Sequence, residues 1–255
     1  MYLKKAIIFI TILLNISCAY SQRGFQNLQE YDYEPYHFGF VLGINQMGFA
    51  IKQNINGLNQ TYNSTKFNGL TGQSDSLLSV EPTSTTGFTI GIVGNLRITD
   101  HFDLRFIPAL SFGERTLVYN SYLLNLNTPR TTGSEIFSIK STMLEFPLDL
   151  KYKGNRINNC RPYIIGGVKY VLDLSSDAKK QADLAGSYIV KLKQMDLYGE
   201  LGAGFDLYFD WFKMGIEAKM SYGLRDIIVR DTPSMYNTSI NRMGSKIFQL
   251  SFTFE

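Results

Sequence analysis

The sequence contains few of the residues that build metal sites and nucleophilic active sites. Its 255 residues include two histidines and two cysteines. Neither His37 nor His101 has a neighbouring Ser or Cys in a nucleophile signature. No cluster of His, Cys and Asp has the spacing of metal ligands. We therefore predict no catalytic residue, no metal and no cofactor.

Strong charge of one sign is absent as well. The chain carries 25 Lys and Arg against 22 Asp and Glu, which gives a formal net charge of +3. Such a balance provides no bulk electrostatic attraction for nucleic acid. Nothing in the sequence indicates a small-molecule substrate either, so neither kind of partner is predicted.

Long hydrophobic runs are also missing. The apolar run over residues 6–14 is too short for a membrane-spanning helix, which needs roughly 20 residues. Two lysines precede this run, and a small-residue cleavage site, residues 19–21, follows it. This order predicts a secretory signal peptide over residues 1–21, with a lipoprotein cysteine at Cys18 as the alternative. Without the signal, Cys160 is the single cysteine, which excludes an internal disulfide.

What the sequence has in abundance is strict alternation of apolar and polar residues. In "MLEFPLDLKYKG", residues 143–154, every second residue from Leu144 to Tyr152 is apolar or aromatic. This period of two predicts a strand with one apolar face and one polar face. Seven further segments show the same pattern: residues 36–45, 86–98, 102–112, 161–173, 196–209, 211–223 and 246–254.

Fifteen charged side chains of these eight segments fall on the polar faces. Two architectures fit the pattern. A lipocalin-like barrel has its apolar face inward, whereas an outer-membrane barrel has its apolar face outward, toward lipid. The charged residues are Arg97, Asp103, Arg105, Glu145, Asp149, Lys151, Arg161, Lys169, Asp173, Asp196, Glu200, Asp206, Lys213, Glu217 and Lys219.

The lengths of the connections separate the two architectures. Short connections, residues 99–101, residues 154–159 and Asp210, alternate with long polar ones. Outer-membrane barrels have short periplasmic turns and long extracellular loops. We therefore predict an all-β, eight-stranded antiparallel transmembrane up-and-down β-barrel over residues 36–255, with both termini periplasmic. The long connections, predicted as extracellular loops, are residues 46–85, 113–140, 174–195 and 224–245.

A barrel of eight strands is only wide enough for its own side chains. The 15 charged residues are accordingly predicted to form a structural ion-pair network in the lumen. A narrow path for ions or solutes is the first alternative, and a proton relay or catalytic group is the second. The preceding segment, residues 22–35, mixes aromatic and acidic residues. It is predicted to be periplasmic and either to dock on a partner or to fold under the barrel.

The stretch "NLQEYDYEPYHFGFVLGINQMGFAIK", residues 27–52, resembles the start of the PorT family, called SprT in gliding bacteria. Two internal stretches, "LEFPLDLKYKG" (144–154) and "RPYIIGGVKY" (161–170), are similar to the middle of the same Bacteroidetes barrels. The residues that match the opening of the family are Asn27, Leu28, Asp32, His37, Phe38, Gly39, Phe40, Leu42, Gly43 and Asn45.

This resemblance implies a role in type IX secretion, the export of proteins that carry a C-terminal sorting domain. In gliding species that cargo includes the adhesins used for motility. The implied mechanism is non-enzymatic: a barrel in contact with outer-membrane lipid and with other type IX secretion components. The family provides no catalytic or binding residues to carry over. The alternative functions are a generic small barrel for solute binding, solute passage or surface adhesion, and a barrel enzyme with a nucleophile at its rim.

Overall fold

The computed structural model describes residues 26–54, 58, 61–64, 73–124, 131–175, 192–230 and 239–255. The predicted signal peptide, residues 1–21, lies outside the described residues, as do residues 22–25 of the predicted periplasmic segment. Among the described residues, no helix is long and apolar enough to cross a membrane.

The described chain is almost entirely strand. One short 3-10 helix, Tyr31–Tyr33, precedes the first strand. The strands are β1 (Tyr36–Gln53), β2 (Thr61–Ser64), β3 (Gln73–Arg97), β4 (Phe102–Phe106), β5 (Ala109–Leu124), β6 (Thr131–Lys153), β7 (Cys160–Asp173), β8 (Met195–Tyr208), β9 (Lys213–Gly223) and β10 (Ile240–Phe254).

The strands close into a ring. All pairings are antiparallel, and β1 pairs with both β3 and β10, so that Phe40 lies opposite both Ile92 and Phe254. Strands β4 and β5 share one position between β3 and β6, and β2 pairs only with the far end of β3. The ring therefore has eight positions, which confirms the predicted all-β, antiparallel, up-and-down arrangement.

Proline explains why one position of the ring is divided into two strands. The pairing register with β6 is unchanged across the gap, because Phe106 lies opposite Leu148 and Ala109 lies opposite Glu145. Pro108 has no N–H to donate, and the backbone N–H of Ile107 reaches the carbonyl oxygen of Pro147 at a long 3.4 Å. The gap is thus a local loss of hydrogen bonds and not a change of topology.

An apolar band surrounds the ring near its short turns. On β1 the outward side chains from Tyr36 to Ile44 are aromatic or aliphatic and exposed, while the alternate side chains face the lumen. A transmembrane strand needs about 9–11 residues, which matches the length of this band. On five strands the band ends at a polar outward residue: Gln46, Thr86, Glu114, Thr142 and Lys246.

The strands continue well beyond the band, which corrects the loop prediction. Residues 46–53, 73–85, 113–124 and 131–140 are strand, although the sequence predicted loops over 46–85 and 113–140. Strand β10 likewise begins at Ile240, inside the predicted loop 224–245. The physical reason is that the pattern reverses beyond the band, with apolar side chains now inward and polar ones outward.

The reversed section encloses a second, conventional core at the end away from the short turns. We call this cluster the distal core. Its side chains are all buried. The barrel is therefore filled with apolar side chains at this end and with charged side chains in the membrane section. The distal core consists of Phe49, Leu77, Val80, Leu117, Tyr119, Leu192, Ile227, Ile228, Ile240 and Met243.

Candidate functional site

The lumen inside the apolar band holds buried ion pairs at several levels. Near the short turns, Lys213 Nζ lies 2.6 Å from Glu255 Oε2, and Arg105 Nη1 lies 3.0 Å from Glu217 Oε2. Lys151 Nζ is 2.6 Å from Asp206 Oδ2 at about the same level. All of these side chains are at least nine-tenths buried.

Farther from the turns, two lysines bridge several carboxylates each. Lys169 Nζ lies 3.0 Å from Glu145 Oε2 and 2.9 Å from Glu200 Oε1. Lys219 Nζ lies 2.7 Å from Asp149 Oδ2 and also contacts Glu217 and Glu200, at 3.3 Å and 3.7 Å. Buried charges are stable only when they are paired, so Lys169 stabilises β7 against its neighbours β6 and β8, and Lys219 links β9 to β6 across the lumen.

Fourteen of the 15 residues predicted for the lumen are buried in it. Arg97 is the exception. It is the last residue of β3, so its side chain reaches the rim, pairs there with Asp100 and donates to the carbonyl oxygen of Tyr33 at 3.0 Å. Asp196 is buried but accepts a hydrogen bond from the backbone N–H of Leu197, 2.8 Å long.

Three buried charges were missed by the sequence prediction. Lys153 pairs with Asp103 at 2.6 Å and Arg115 pairs with Asp173 at 2.5 Å, while Glu255 binds Lys213 and Arg105. Arg115 and Glu255 continue the inward alternation of their strands by one or two steps past the predicted segments, whereas Lys153 lies within the segment 143–154. Applying the period of two along the full length of each strand would have found all three.

At the short-turn end, residues 26–35 fold across the opening. We call this segment the strap. The backbone N–H of Asn27 donates to Asn159 Oδ1 at 2.9 Å, and the Asn27 side-chain amide donates to the carbonyl oxygen of Tyr208 at 3.2 Å. Leu28 has a positive φ of 50°, and its carbonyl oxygen accepts from Arg156 at 3.4 Å. Residues 26–35 thus pack against the short-turn end of the barrel, and docking of this segment on a partner stays a prediction.

Aromatic stacking extends the strap into the lumen. The ring of Tyr31 stacks on His37 with centroids 3.9 Å apart, and its hydroxyl lies 3.4 Å from Glu255 Oε2. The ammonium of Lys213 lies 4.8 Å from the centroid of the Tyr31 ring. Burial and the nearby Glu255 carboxylate raise the pKa of the Tyr31 hydroxyl well above its usual value. Tyr31 therefore links the strap to the first layer of lumen ion pairs.

Asp32 is the main electrostatic anchor of the strap. Its Oδ1 accepts a 2.7 Å hydrogen bond from the Tyr208 hydroxyl and lies 3.2 Å from Arg161 Nη1, while Arg156 Nη1 lies 3.6 Å from Oδ2. Burial acts to raise the pKa of the Asp32 carboxyl. The hydrogen bond from Tyr208 and the neighbouring cations outweigh burial and lower that pKa below its usual value.

The remaining residues of the family signature lie on β1. Phe38, Phe40 and Leu42 are exposed on the apolar band. A side chain at Gly39 would collide with the carbonyl oxygen of Phe254 across the β1–β10 seam. A Cβ at Gly43 would lie 3.2 Å from the Leu250 carbonyl oxygen of β10, a tight contact but not a collision, and Asn45 is buried and donates to Thr89 Oγ1 at 2.8 Å. The signature thus comprises strap contacts and the packing of the seam that closes the ring.

The described lumen contains little empty space. A cavity of about 20 Å³, lined by Glu145, Glu200 and Lys219 among others, is about large enough for one water molecule. The distal core closes one end of the barrel, and the strap covers the other. Within the described ranges, no group of three or more His, Cys, Asp or Glu side chains could hold a metal ion.

Comparison with known proteins gives one family and several distant structures. Residues 20–229 match the family described as outer membrane protein beta-barrel domain. Neisserial surface protein A (NspA) is 12% identical, with 86% of this chain and 98% of that chain covered and a TM-score of 0.40. OprG from Pseudomonas aeruginosa is 14% identical, with 85% and 94% covered and a TM-score of 0.39. No curated protein matches the sequence significantly.

Proposed function

Because this chain belongs to the family of outer-membrane β-barrel domains, we propose that it is a non-enzymatic component of type IX protein secretion. Its apolar band contacts outer-membrane lipid. In the proposed mechanism the barrel is a rigid scaffold that presents its short-turn end and its outer wall to other components of the secretion system. Export of cargo with C-terminal sorting domains, including gliding adhesins, would depend on these contacts.

The observation that carries this proposal is the location of the family signature. Asn27, Leu28, Asp32 and His37 all contribute to the closure of the short-turn end. Residues that merely linked a signal peptide to a barrel would not need such specific partners. The placement supports a role in which the closed end, with the strap folded on it, is the working surface.

The proposed orientation places the signal peptide, residues 1–21, in the export pathway and residues 22–35 in the periplasm. Both termini and the short turns then face the periplasm, and the long strands with the distal core project outside the cell. The asymmetry of the ring supports this orientation, since outer-membrane barrels keep short turns on the periplasmic side.

The outer face of the strap has the chemistry of a contact surface. Glu30, Tyr33 and Glu34 are exposed there, and Asp100 in the adjacent turn is exposed beside them. Tyr33 combines an apolar ring with a polar tip, the kind of side chain enriched at protein interfaces. We propose that a periplasmic partner with a basic surface binds this acidic and aromatic face.

Surface adhesion is a second candidate, supported by a separate observation. Strands β3, β5 and β6 continue as a paired sheet far beyond the band and pack on the distal core. Such an extension presents a folded surface at the long-strand end. Solute passage is less compatible with the structure, because the described lumen is filled by ion pairs and covered at both ends.

The test compares the extracellular proteome of a strain lacking this gene with that of its parent. Type IX secretion predicts that proteins with the sorting domain disappear from the medium and accumulate in the periplasm. Complementation with a strap-surface variant, E30Q/Y33A/E34Q, should fail to restore secretion, whereas K140Q at the far end should restore it fully. Unchanged secretion in the deletion strain would refute the role and leave surface adhesion as the candidate.

A further inference from the structure

Six exposed basic side chains lie just beyond the apolar band, on one side of the ring. Three lie on the adjacent strands β10 and β1, two lie in the connection that follows β9, and one lies in the connection that precedes β8. We call this surface the cationic rim. Its members are Lys52, Lys193, Arg225, Arg230, Arg242 and Lys246.

Strand pairing brings these cations together. Lys52 lies directly opposite Arg242 in the β1–β10 register, and neighbouring strands are about 4.8 Å apart. Arg242 Nη2 donates to the carbonyl oxygen of Leu224 at 2.8 Å, which places it beside Arg225. Lys193 Nζ donates to the carbonyl oxygen of Asp226 at 2.9 Å.

The rim is nearly free of compensating acid among the described side chains. Asp226, 2.7 Å from Arg230, and the buried Asp196, which interacts electrostatically with Arg225, are the described carboxylates near it, so six cations and two anions leave a formal charge of +4. At the same level on the opposite side of the ring, Glu81, Glu114 and Lys140 sum to −1. Among the described side chains, the positive charge is therefore concentrated on one side of this end.

The rim directly continues a surface that packs against acyl chains. On β10, Phe248 is the last apolar residue of the band. Lys246 lies two residues closer to the long-strand end, about 7 Å along the strand. Tyr222, which pairs with Lys246 in register, is exposed with its ring at the same height. An aromatic residue at this depth is typical of the boundary between hydrocarbon and headgroups.

We propose that the cationic rim binds the phosphates of lipid headgroups in the leaflet at the long-strand end. The cations span two adjacent strands and two connections, and they extend from Lys246 to Arg242, about 13 Å along the strand. This spread exceeds the reach of one phosphate and fits a glycolipid headgroup that bears two. Arg is well suited to such a ligand, because its guanidinium binds phosphate oxygens in pairs.

An acidic protein is the competing occupant of a basic surface. The lipid is favoured because the rim borders the apolar band, where the exposed side chains of Phe248 and Tyr222 lie next to Lys246. These side chains would lie against acyl chains below a bound headgroup. A soluble acidic partner would bind the cations without burying these apolar side chains.

The experiment measures lipid binding to the purified, folded full-length barrel by native mass spectrometry in detergent. The probes are diphosphoryl lipid A and the same lipid with both phosphates removed. Each cation near a charged headgroup changes the affinity about fivefold. R225Q/R242Q should therefore lower the affinity for the diphosphoryl lipid about 25-fold and leave the dephosphorylated lipid unaffected. The matched control K140Q, on the opposite side of the ring, should change neither.

Heat-modifiable gel migration verifies that each variant is folded, and the wild-type comparison of the two lipids needs no variant. Equal affinity of the wild-type protein for both lipids would overturn the proposal, as would an equal loss in R225Q/R242Q and K140Q. If the lipids do not differ but an acidic protein cross-links to the rim, the lipid assignment is wrong. None of these results depends on secretion, so this test and that of the proposed function fail separately.

Discussion

The hydroxyl of Tyr208 donates a 2.7 Å hydrogen bond to the carboxylate of Asp32, a residue 176 positions earlier in the chain. Tyr208 ends β8, and Asp32 belongs to the strap, so this bond ties the N-terminal segment to the far side of the ring. Arg156, stacked 3.7 Å above the centroid of the Tyr208 ring, and Arg161 complete the anchor. The closure of the short-turn end therefore depends on a few polar contacts that can be removed one at a time.

Removing the Asp32 charge should release the strap without unfolding the barrel. Hydrogen bonds to charged groups contribute about 1.5–3 kcal/mol, so D32N is expected to raise hydrogen exchange across residues 26–35 by at least tenfold. The ring of strands should keep its protection and its heat-modifiable migration. E30Q, a change at an exposed position in the same segment, is the control. Equal protection of the strap in wild type and D32N would contradict the prediction.

Acid should release the strap by the same route. The folded-state pKa of Asp32 is lowered, so its contribution to stability is complete above the unfolded pKa of about 3.9 and is lost as the pH falls through the lower folded value. Exchange across residues 26–35, corrected for its intrinsic pH dependence, should rise below about pH 4. In D32N this step should be absent, and a step that persists there would assign the titration to another group.

Alanine at Gly39 should prevent closure of the ring. Its Cβ would collide with the backbone carbonyl of Phe254, which cannot move without breaking the β1–β10 seam. We expect G39A to reduce the heat-modifiable, folded fraction to less than a tenth of that of wild type. G94A is the matched control, since the nearest atom to its Cβ, the Phe106 carbonyl oxygen, is 3.6 Å away. Normal folding of G39A would show that the seam is more compliant than this geometry allows.

Replacing Lys219 should destabilise the barrel more than replacing any exposed lysine. K219M leaves Asp149 and Glu217 in the lumen without their shared partner, and breaking a buried pair in this way costs about 3–5 kcal/mol. Urea unfolding in lipid vesicles would measure the loss. K140M on the surface is expected to change the free energy of unfolding by less than about 0.5 kcal/mol. Similar losses in both variants would mean that the lumen charges contribute little.

The barrel should not conduct ions. Its lumen is filled with paired side chains, and the distal core closes the end opposite the strap. In planar bilayers the wild-type protein should give no stable conductance steps, and D32N, which frees only the strap, should give none either. Reproducible steps from the wild-type protein would restore the narrow-path alternative.

Alternation predicted the membrane section well because lipid and lumen impose opposite demands on neighbouring residues. From Leu144 to Tyr152 each side chain has the predicted direction. The sequence pattern failed where the outer environment changes from lipid to water. Leu77 and Leu117 lie among Ser and Thr residues without strict alternation, and this composition was interpreted as a polar loop although it encodes strands with an ordinary core.

The network within the lumen was predictable only in part. The inward direction of Lys169 and Glu200 follows from the period of two, but their mutual contact depends on ring size and stagger, which the period does not contain. Arg97 was assigned to the lumen because it occupies an inward position in the two-residue period of β3. At the last position of a strand, however, a long side chain reaches past the rim to Asp100. The opposite error omitted Arg115, because the predicted segment ended at Phe112.

The reversal of the side-chain pattern at Gln46, Thr86, Glu114, Thr142 and Lys246 determines the depth at which the protein sits. If the barrel moved outward, Phe88 and Phe248 would enter water. If it moved inward, Glu114 and Lys246 would enter hydrocarbon, where the cost of a lysine rises from about 0–1 kcal/mol near the interface to about 2–4 kcal/mol at the midplane and that of a glutamate rises less. Both displacements are opposed on several strands at once. The molecule therefore has one preferred elevation in the bilayer, and any partner that meets its wall meets the same residues at the same height every time.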